Sequence, residues 1–301
     1  MDPKAQMMEP QTRAASLISR SKDYLTLTKP EVNLLILMTT SAGYFMGTRG
    51  RLNWGGMAET VIGTLLVASG TATLNQYMER RYDSDMKRTA GRPLPAGRVS
   101  SMEALVLGLL LSFVGGAYLW LAVNPLTSLL AISTLLSYLL IYTPLKRKTP
   151  LCTLLGAFPG AMPTLIGWAG ASTTLTREAW FLFLVLFLWQ FPHFLAIALM
   201  YREDYERAGF RMLPRFDRDG HFTHAEIVVF TLGLLLVTCF PGFSLGHNVS
   251  YLAGMGLAGA FFLYYGVKLV QSSSRASASR LLHASVIYLP AVLAVMMVFK
   301  R

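Results

Sequence analysis

Apolar residues along this chain gather into nine runs, at about 32–48, 57–79, 102–122, 125–143, 153–172, 178–200, 225–243, 248–271 and 281–299. A helix that crosses a membrane needs roughly 20 mostly apolar residues, and each run is close to that length. Lipid offers no hydrogen bonds to a bare backbone, and the runs are too long and continuous for barrel strands. The pattern therefore predicts an all-α polytopic membrane protein of nine transmembrane helices. No long polar linker interrupts the 301 residues, which predicts a single membrane-embedded domain over 1–301, with 1–24 as a polar tail ahead of the first span.

The gaps between the runs set the orientation. Of the 27 Lys and Arg, only Arg49, Arg51, Arg177, Lys300 and Arg301 fall on one side of a nine-span arrangement; the other 22 fall on the opposite side. Basic residues mark the cytoplasmic side, so the N-terminus is expected in the cytoplasm. Eight or ten spans would spoil this alternation. The same distribution explains the net charge of +11 without any nucleic-acid partner. With 53% hydrophobic and 14% charged residues, against about a quarter charged in soluble domains, the expected partner is the lipid bilayer. Cys152 and Cys239 stand far apart with no metal-ligand spacing. The tail carries Asp2, Glu9 and Asp23, unlike an acid-poor mitochondrial presequence, which points to a bacterial inner membrane.

Topology accounts for cytoplasmic Lys and Arg but not for acids among them. Glu79, Asp83 and Asp85 fall after the second run, and Glu203, Asp204, Glu206, Asp217 and Asp219 after the sixth, which is eight of the 16 acids in two connections on one side. Asn75, Glu79 and Asp83 are spaced i, i+4, i+8, so a continuing helix places them along one face. Asn75 lies within the apolar run and should turn away from lipid. Such oxygen donors suit Mg²⁺, which takes one or two carboxylates and leaves positions for phosphates and water. A solvated helix end with acids paired to nearby Arg is the plainer alternative. Arg88 and Arg92 repeat the i, i+4 spacing before Pro93, Pro95 and Gly97, and guanidinium forks suit phosphate oxygens. Together these residues describe a site for a magnesium-bound diphosphate at the mouth of a helix bundle.

The stretch from Asn75 through Glu79, Asp83, Arg88-Thr89 and Arg92 to Gly97 resembles the signature of the UbiA-type intramembrane prenyltransferases. The resemblance implies nine helices around a central cavity, with acidic motifs at its cytoplasmic mouth. Three further segments resemble the haem O synthase branch. The first is Tyr142-Thr-Pro-Leu-Lys146, whose tyrosine and lysine can reach one phosphate group; the alternative is an aromatic-belt residue beside an anchoring lysine. The second is Trp189-Gln-Phe-Pro192-His193-Phe194, with Phe191 where relatives have a first proline. A neutral imidazole ligates haem iron, and a hydrogen-bonded packing histidine is the alternative. The third is Asp204-Tyr205 through Ala208-Gly209 to Met212-Leu213-Pro214. Tyr201 and Tyr205 stand where quinone-type relatives have acids, so the second metal set rests on Asp204 or Glu203.

The resemblance implies a protohaem farnesyltransferase activity: a farnesyl group passes from farnesyl diphosphate to a vinyl group of haem b, water adds, and haem O and diphosphate leave. Asn75, Glu79, Asp83 and Asp204 are expected to hold Mg²⁺, Arg88, Arg92 and Lys146 to bind the diphosphate, Asp83, Lys146 and Tyr142 to act in catalysis, and His193 to contact haem. It also implies contact with a haem A synthase or terminal oxidase assembly. The alternatives are a quinone or aromatic-acceptor polyprenyltransferase, which would carry a full second Asp-x-x-x-Asp motif; a transporter, which would carry charges at the bilayer midplane; and a non-catalytic oxidase assembly subunit, which leaves the 75–97 pattern unexplained.

Overall fold

The computed structural model describes residues 19–244 and 249–300 and is all-helical over its long elements. A short helix, α1 (19–27), precedes α2 (Pro30–Gly47), α3 (Trp54–Asp83), α4 (Ser101–Val123), α5 (Pro125–Leu145), α6 (Cys152–Ala171) and α7 (Arg177–Met200). Two short helices, α8 (Arg202–Arg207) and α9 (Leu213–Phe216), lead to α10 (His221–Ser244), α11 (Val249–Ser272) and α12 (Arg275–Val298). Each apolar run has become one helix. The first 18 residues of the predicted tail, and residue 248 of the eighth run, lie outside the described residues. Residues 19–27 are helical, and Asp23 is pinned by Arg98, Nε to Oδ1, at 2.9 Å.

Eight of these helices are long and apolar enough to cross a membrane, so the chain is a multi-pass membrane protein. The long helix outside that set is α2, whose 18 residues include Glu31, Asn33, Thr39 and Thr40. Glu31 stays exposed at the start of the helix, whereas Asn33, Thr39 and Thr40 are buried, and Asn33 donates to Ser69 Oγ at 2.9 Å and to Thr28 O at 2.9 Å. Part of its polarity is a buried face turned towards the bundle, while Val32 and Leu34 are exposed.

Local chemistry sets the ends. The Asn53 side chain accepts from Gly56 N to start α3, and Asn124 does the same for α5 from Thr127 N. Ser100 and Glu103 close a capping box on α4. The last turns of α4 and α5, Leu119–Val123 and Ser137–Tyr142, are π-helical, a widening that often accompanies function. Helix α7 runs through Pro192 unbroken.

The two largest of four buried apolar clusters form the core of the bundle. One joins α3, α4, α5 and α6 around Val67, Leu119, Leu135 and Ile166; the larger joins α6, α7, α10, α11 and α12 around Leu165, Val185, Met255 and Tyr288. Helix α2 packs against α6 at their junction. This arrangement brings the end of α3, the start of α2, the end of α5 and the α7–α10 connection to one end of the bundle.

Candidate functional site

Helix α3 continues to Asp83, so Asn75, Glu79 and Asp83 share one face, and all three are buried, at 1%, 7% and 1% exposure. Burying such groups is costly unless each has a partner. Each is met from a different element. Asn75 Oδ1 accepts from Lys29 Nζ at 3.0 Å, while its Nδ2 donates to Thr143 Oγ1 at 3.2 Å. Glu79 receives Lys146 Nζ at 3.1 and 3.3 Å on its two oxygens. Asp83 Oδ2 receives Arg92 Nη1 at 2.7 Å, whereas its buried Oδ1 has no hydrogen-bond partner.

The arginines depart from the spacing argument. The chain leaves the helix at Asp83 and turns through 84–100, with Thr89 Oγ1 donating to Asp83 O at 2.8 Å. Arg88 and Arg92 therefore do not share a helical face. Arg92 folds back on Asp83, while Arg88 lies over the rings of Tyr201 and Tyr205 at 4.9 and 5.8 Å. Its Nη2 reaches Tyr205 OH at 3.4 Å, and its backbone N donates to Asp204 Oδ2 at 3.2 Å. Among the described residues its guanidinium has no carboxylate partner.

Between Asp204 and Glu203 the structure discriminates: Asp204 is buried and Glu203 is exposed. Asp204 also pairs with Arg207 at 3.2 Å. The loop that carries it docks on the 84–100 turn through Met86, Tyr82, Ala208 and Phe210, and Gly209 takes a positive φ of 75° that any other residue would adopt only under strain. Arg211 N donates to Lys146 O at 2.7 Å, tying the same loop to the end of α5.

Tyr142 ends the π turn of α5, and its ring lies 4.4 Å from Lys146 Nζ; Tyr138 lies 5.9 Å away. Burial works against the Lys146 ammonium, but Glu79 outweighs it and holds the pKa well above the ordinary lysine value. A cavity of about 420 Å³ opens beside this pair, lined by Met78, Glu79, Tyr82, Thr143, Pro144, Arg147 and Lys148.

Lys29 and Thr143 join the site although their sequence context gave them no site role. Lys29 sits in left-handed geometry, φ 52°, immediately before Pro30. Such a conformation costs a non-glycine residue about 1–3 kcal/mol, and it recurs at functional sites. It carries the ammonium off the helix start and into the site. Loss of solvent, with Arg92 and Lys146 close by, pushes its pKa down to about 7 against the pull of Glu79 and Asp83. A basic residue directly before the proline that opens a span was the available signal; for Thr143 it was Pro144 at the span's end.

His193 lies apart from this cluster, on α7 seven residues before Met200, which is about 10 Å along the axis. Its ring is half-buried, stacks on Trp189 with centroids 4.6 Å apart, and meets Ser285 Oγ through Nδ1 at 2.7 Å.

The cluster has more basic than acidic side chains: Lys29, Arg88, Arg92, Lys146, Arg147 and Arg207 against Glu79, Asp83 and Asp204. Such an excess of positive charge favours an anion. Among the described residues no three acids lie close enough to enclose a metal by themselves. Mg²⁺ completes its shell with phosphate and water, so an ion bound here would need oxygens from a substrate as well. The free Oδ1 of Asp83, with the Asn75 and Glu79 oxygens on the same helix face, supplies donors of the required hard type.

Residues 36–289 match the model of the UbiA prenyltransferase family. The chain is 47% identical over 285 residues to the protoheme IX farnesyltransferase of Solibacter usitatus, covering 92% of this chain and 98% of that protein. It is 42% identical over 299 residues to that of Koribacter versatilis, covering 96% and 95%. Among solved structures, a digeranylgeranylglyceryl phosphate synthase superposes with a TM-score of 0.73 at 17% identity, covering 93% of this chain and 98% of that one. A UbiA homologue from Archaeoglobus fulgidus bound to DMAPP and Mg²⁺ superposes with a TM-score of 0.67 at 15% identity, covering 92% and 100%.

Proposed function

The chain belongs to the UbiA prenyltransferase family, and from that membership we propose that it transfers a farnesyl group from farnesyl diphosphate to a vinyl group of haem b, with addition of water, giving haem O and diphosphate. The observation that carries this reading is the convergence of Asn75, Glu79, Asp83 and Asp204 with Arg88, Arg92 and Lys146 at one end of an apolar bundle. The acceptor follows the name shared by relatives at 42% and 47% identity.

Nine helices span the bilayer around a central cavity, with the N-terminus and the acidic mouth on the cytoplasmic side of a bacterial inner membrane. Asn75, Glu79, Asp83 and Asp204 would hold Mg²⁺, which would supply Lewis-acid neutralisation of the leaving diphosphate. Arg88 and Arg92 would bind the diphosphate through their guanidinium donors. Lys146, steadied by the Tyr142 ring, adds a compact positive charge, and the Tyr142 hydroxyl is a further donor. These groups stabilise charge that grows as the allylic C–O bond breaks and its electron pair leaves with diphosphate. The vinyl π pair of haem b then bonds to farnesyl C1. Water adds to the resulting cation and gives up a proton, leaving a hydroxyl beside the new side chain. Apolar walls keep water from the first cation. His193 positions the haem. A quinone-type acceptor lacks support, because the positions of a second acidic motif hold Tyr201 and Tyr205, which flank Arg88.

Purified protein supplied with haem b, Mg²⁺ and a series of prenyl diphosphates tests the reading. Mass analysis should find haem O with the C15 donor. Prenylation of an aromatic acceptor with haem b untouched would overturn it.

A further inference from the structure

The hydroxyl that meets His193 has a definite hydrogen-bond direction. Ser285 Oγ lies 2.7 Å from His193 Nδ1 and 2.6 Å from Leu282 O, one turn back on α12. A serine hydroxyl carries one proton, and a carbonyl can only accept. That proton is committed to Leu282 O, so the serine oxygen faces His193 as an acceptor. The imidazole must then carry its proton on Nδ1, which leaves Nε2 as a bare lone pair. Among the described residues Nε2 has no hydrogen-bond partner. That nitrogen is accessible rather than sealed in protein, so a ligand can reach it.

The surroundings fix the plane as well as the tautomer. Trp189 stacks on the imidazole at 27° between planes, and its Nε1 donates to Ser285 O at 2.8 Å. Ser285 is therefore held through its carbonyl by α7 and through its hydroxyl by its own helix, and it is fully buried. Phe194 meets the ring edge-on at 5.5 Å. Metal-ligating histidines commonly donate their second N–H to such an acceptor, which orients the ring and raises its basicity.

We propose that Ser285 is the positioning residue that makes His193 a ligand to the iron of the porphyrin acceptor. It accepts from Nδ1–H and keeps Nε2 free. The inference rests on the reading of His193 as the haem contact and extends it to a residue on a different helix.

The test uses the full-length protein in detergent, titrated with haem b and followed by absorbance in the ferric and ferrous states. The wild type should give the spectrum of nitrogen-ligated iron, and His193→Ala should lose it. Ser285→Ala should weaken haem binding roughly 10- to 100-fold and alter the spectrum, the scale seen when such outer partners are removed from metal-bound histidines. Farnesyl diphosphate binding by the same preparation should stay at its wild-type level, which separates positioning from folding. A Ser285→Ala protein with wild-type spectrum and affinity, where His193→Ala has lost both, overturns the role of Ser285 and leaves His193 standing. A wild-type spectrum in His193→Ala overturns the haem-contact reading beneath it. Loss of farnesyl diphosphate binding in Ser285→Ala would show a structural role and also overturn the proposal.

Discussion

Lys146 grips both carboxylate oxygens of Glu79, at 3.1 and 3.3 Å, across the ends of α5 and α3, with both residues buried. Removing one partner from a buried pair strands the other, at a cost of about 3–5 kcal/mol. Lys146→Met should therefore lower the thermal midpoint in detergent and abolish diphosphate binding. The double variant Lys146→Met/Glu79→Leu should recover stability, since an apolar replacement of a buried pair is often neutral, and should remain inactive. Unchanged stability in Lys146→Met alone would show that Glu79 finds its partner elsewhere.

Asp83 offers one oxygen to Arg92 and keeps the other free. Asp83→Asn preserves shape and removes charge. At limiting Mg²⁺, prenyl transfer should fall by roughly 10²–10³-fold, the scale of losing one electrostatic stabiliser of a transition state. Raising Mg²⁺ should recover part of the loss, as read by extraction and quantitation of the prenylated haem. Full activity at limiting Mg²⁺ would remove Asp83 from the metal site.

Lys29 gives the metal-free protein a pH signature. Its folded pKa is near 7, against 10.5 as an ordinary lysine. Between those values the unfolded chain binds the proton and the folded chain does not, so stability should rise as pH climbs from about 7 towards 10.5. Below about 7 both states are protonated and the slope should vanish. Thermal midpoints in EDTA for wild type and Lys29→Met isolate this term from other titrating groups. Parallel curves for the two proteins would place Lys29 in ordinary solvent.

The helices and their order could be read in the sequence because lipid permits few alternatives: an apolar run of about 20 residues has one stable form. The buried face of Asn75, Glu79 and Asp83 was equally legible, since spacing along a continuing helix fixes it. What spacing could not give was the path after the helix stopped. Arg88 and Arg92 keep the i, i+4 interval, yet the turn at Ser84 sends one to Tyr201 and Tyr205 and the other back to Asp83. Lys29 was hidden for the same reason: its reach into the site depends on one backbone dihedral. The choice of Asp204 over Glu203 needed the tertiary contact that buries one and exposes its neighbour.

That dihedral makes the seating of α2 a matter of function. Helix α2 is the one long helix among the described residues outside the set apolar enough to span, and it meets α6 through glycines. A Cβ on Gly43 would stand 2.2 Å from Thr164 O, and one on Gly167 would stand 1.9 Å from Thr40 O. Neither carbonyl belongs to a side chain that can move aside. Gly167→Val should therefore force the two helices apart, at a cost of about 1–3 kcal/mol or more for overpacking. It should also draw Lys29, at the start of α2, away from Asn75. The expected result is a lower thermal midpoint together with weaker farnesyl diphosphate binding. Gly233→Ala on α10, where a new Cβ meets nothing within 4 Å, should leave both unchanged. If Gly167→Val matched the Gly233→Ala protein in both measurements, the close approach of α2 and α6 would not be what seats Lys29 in the site.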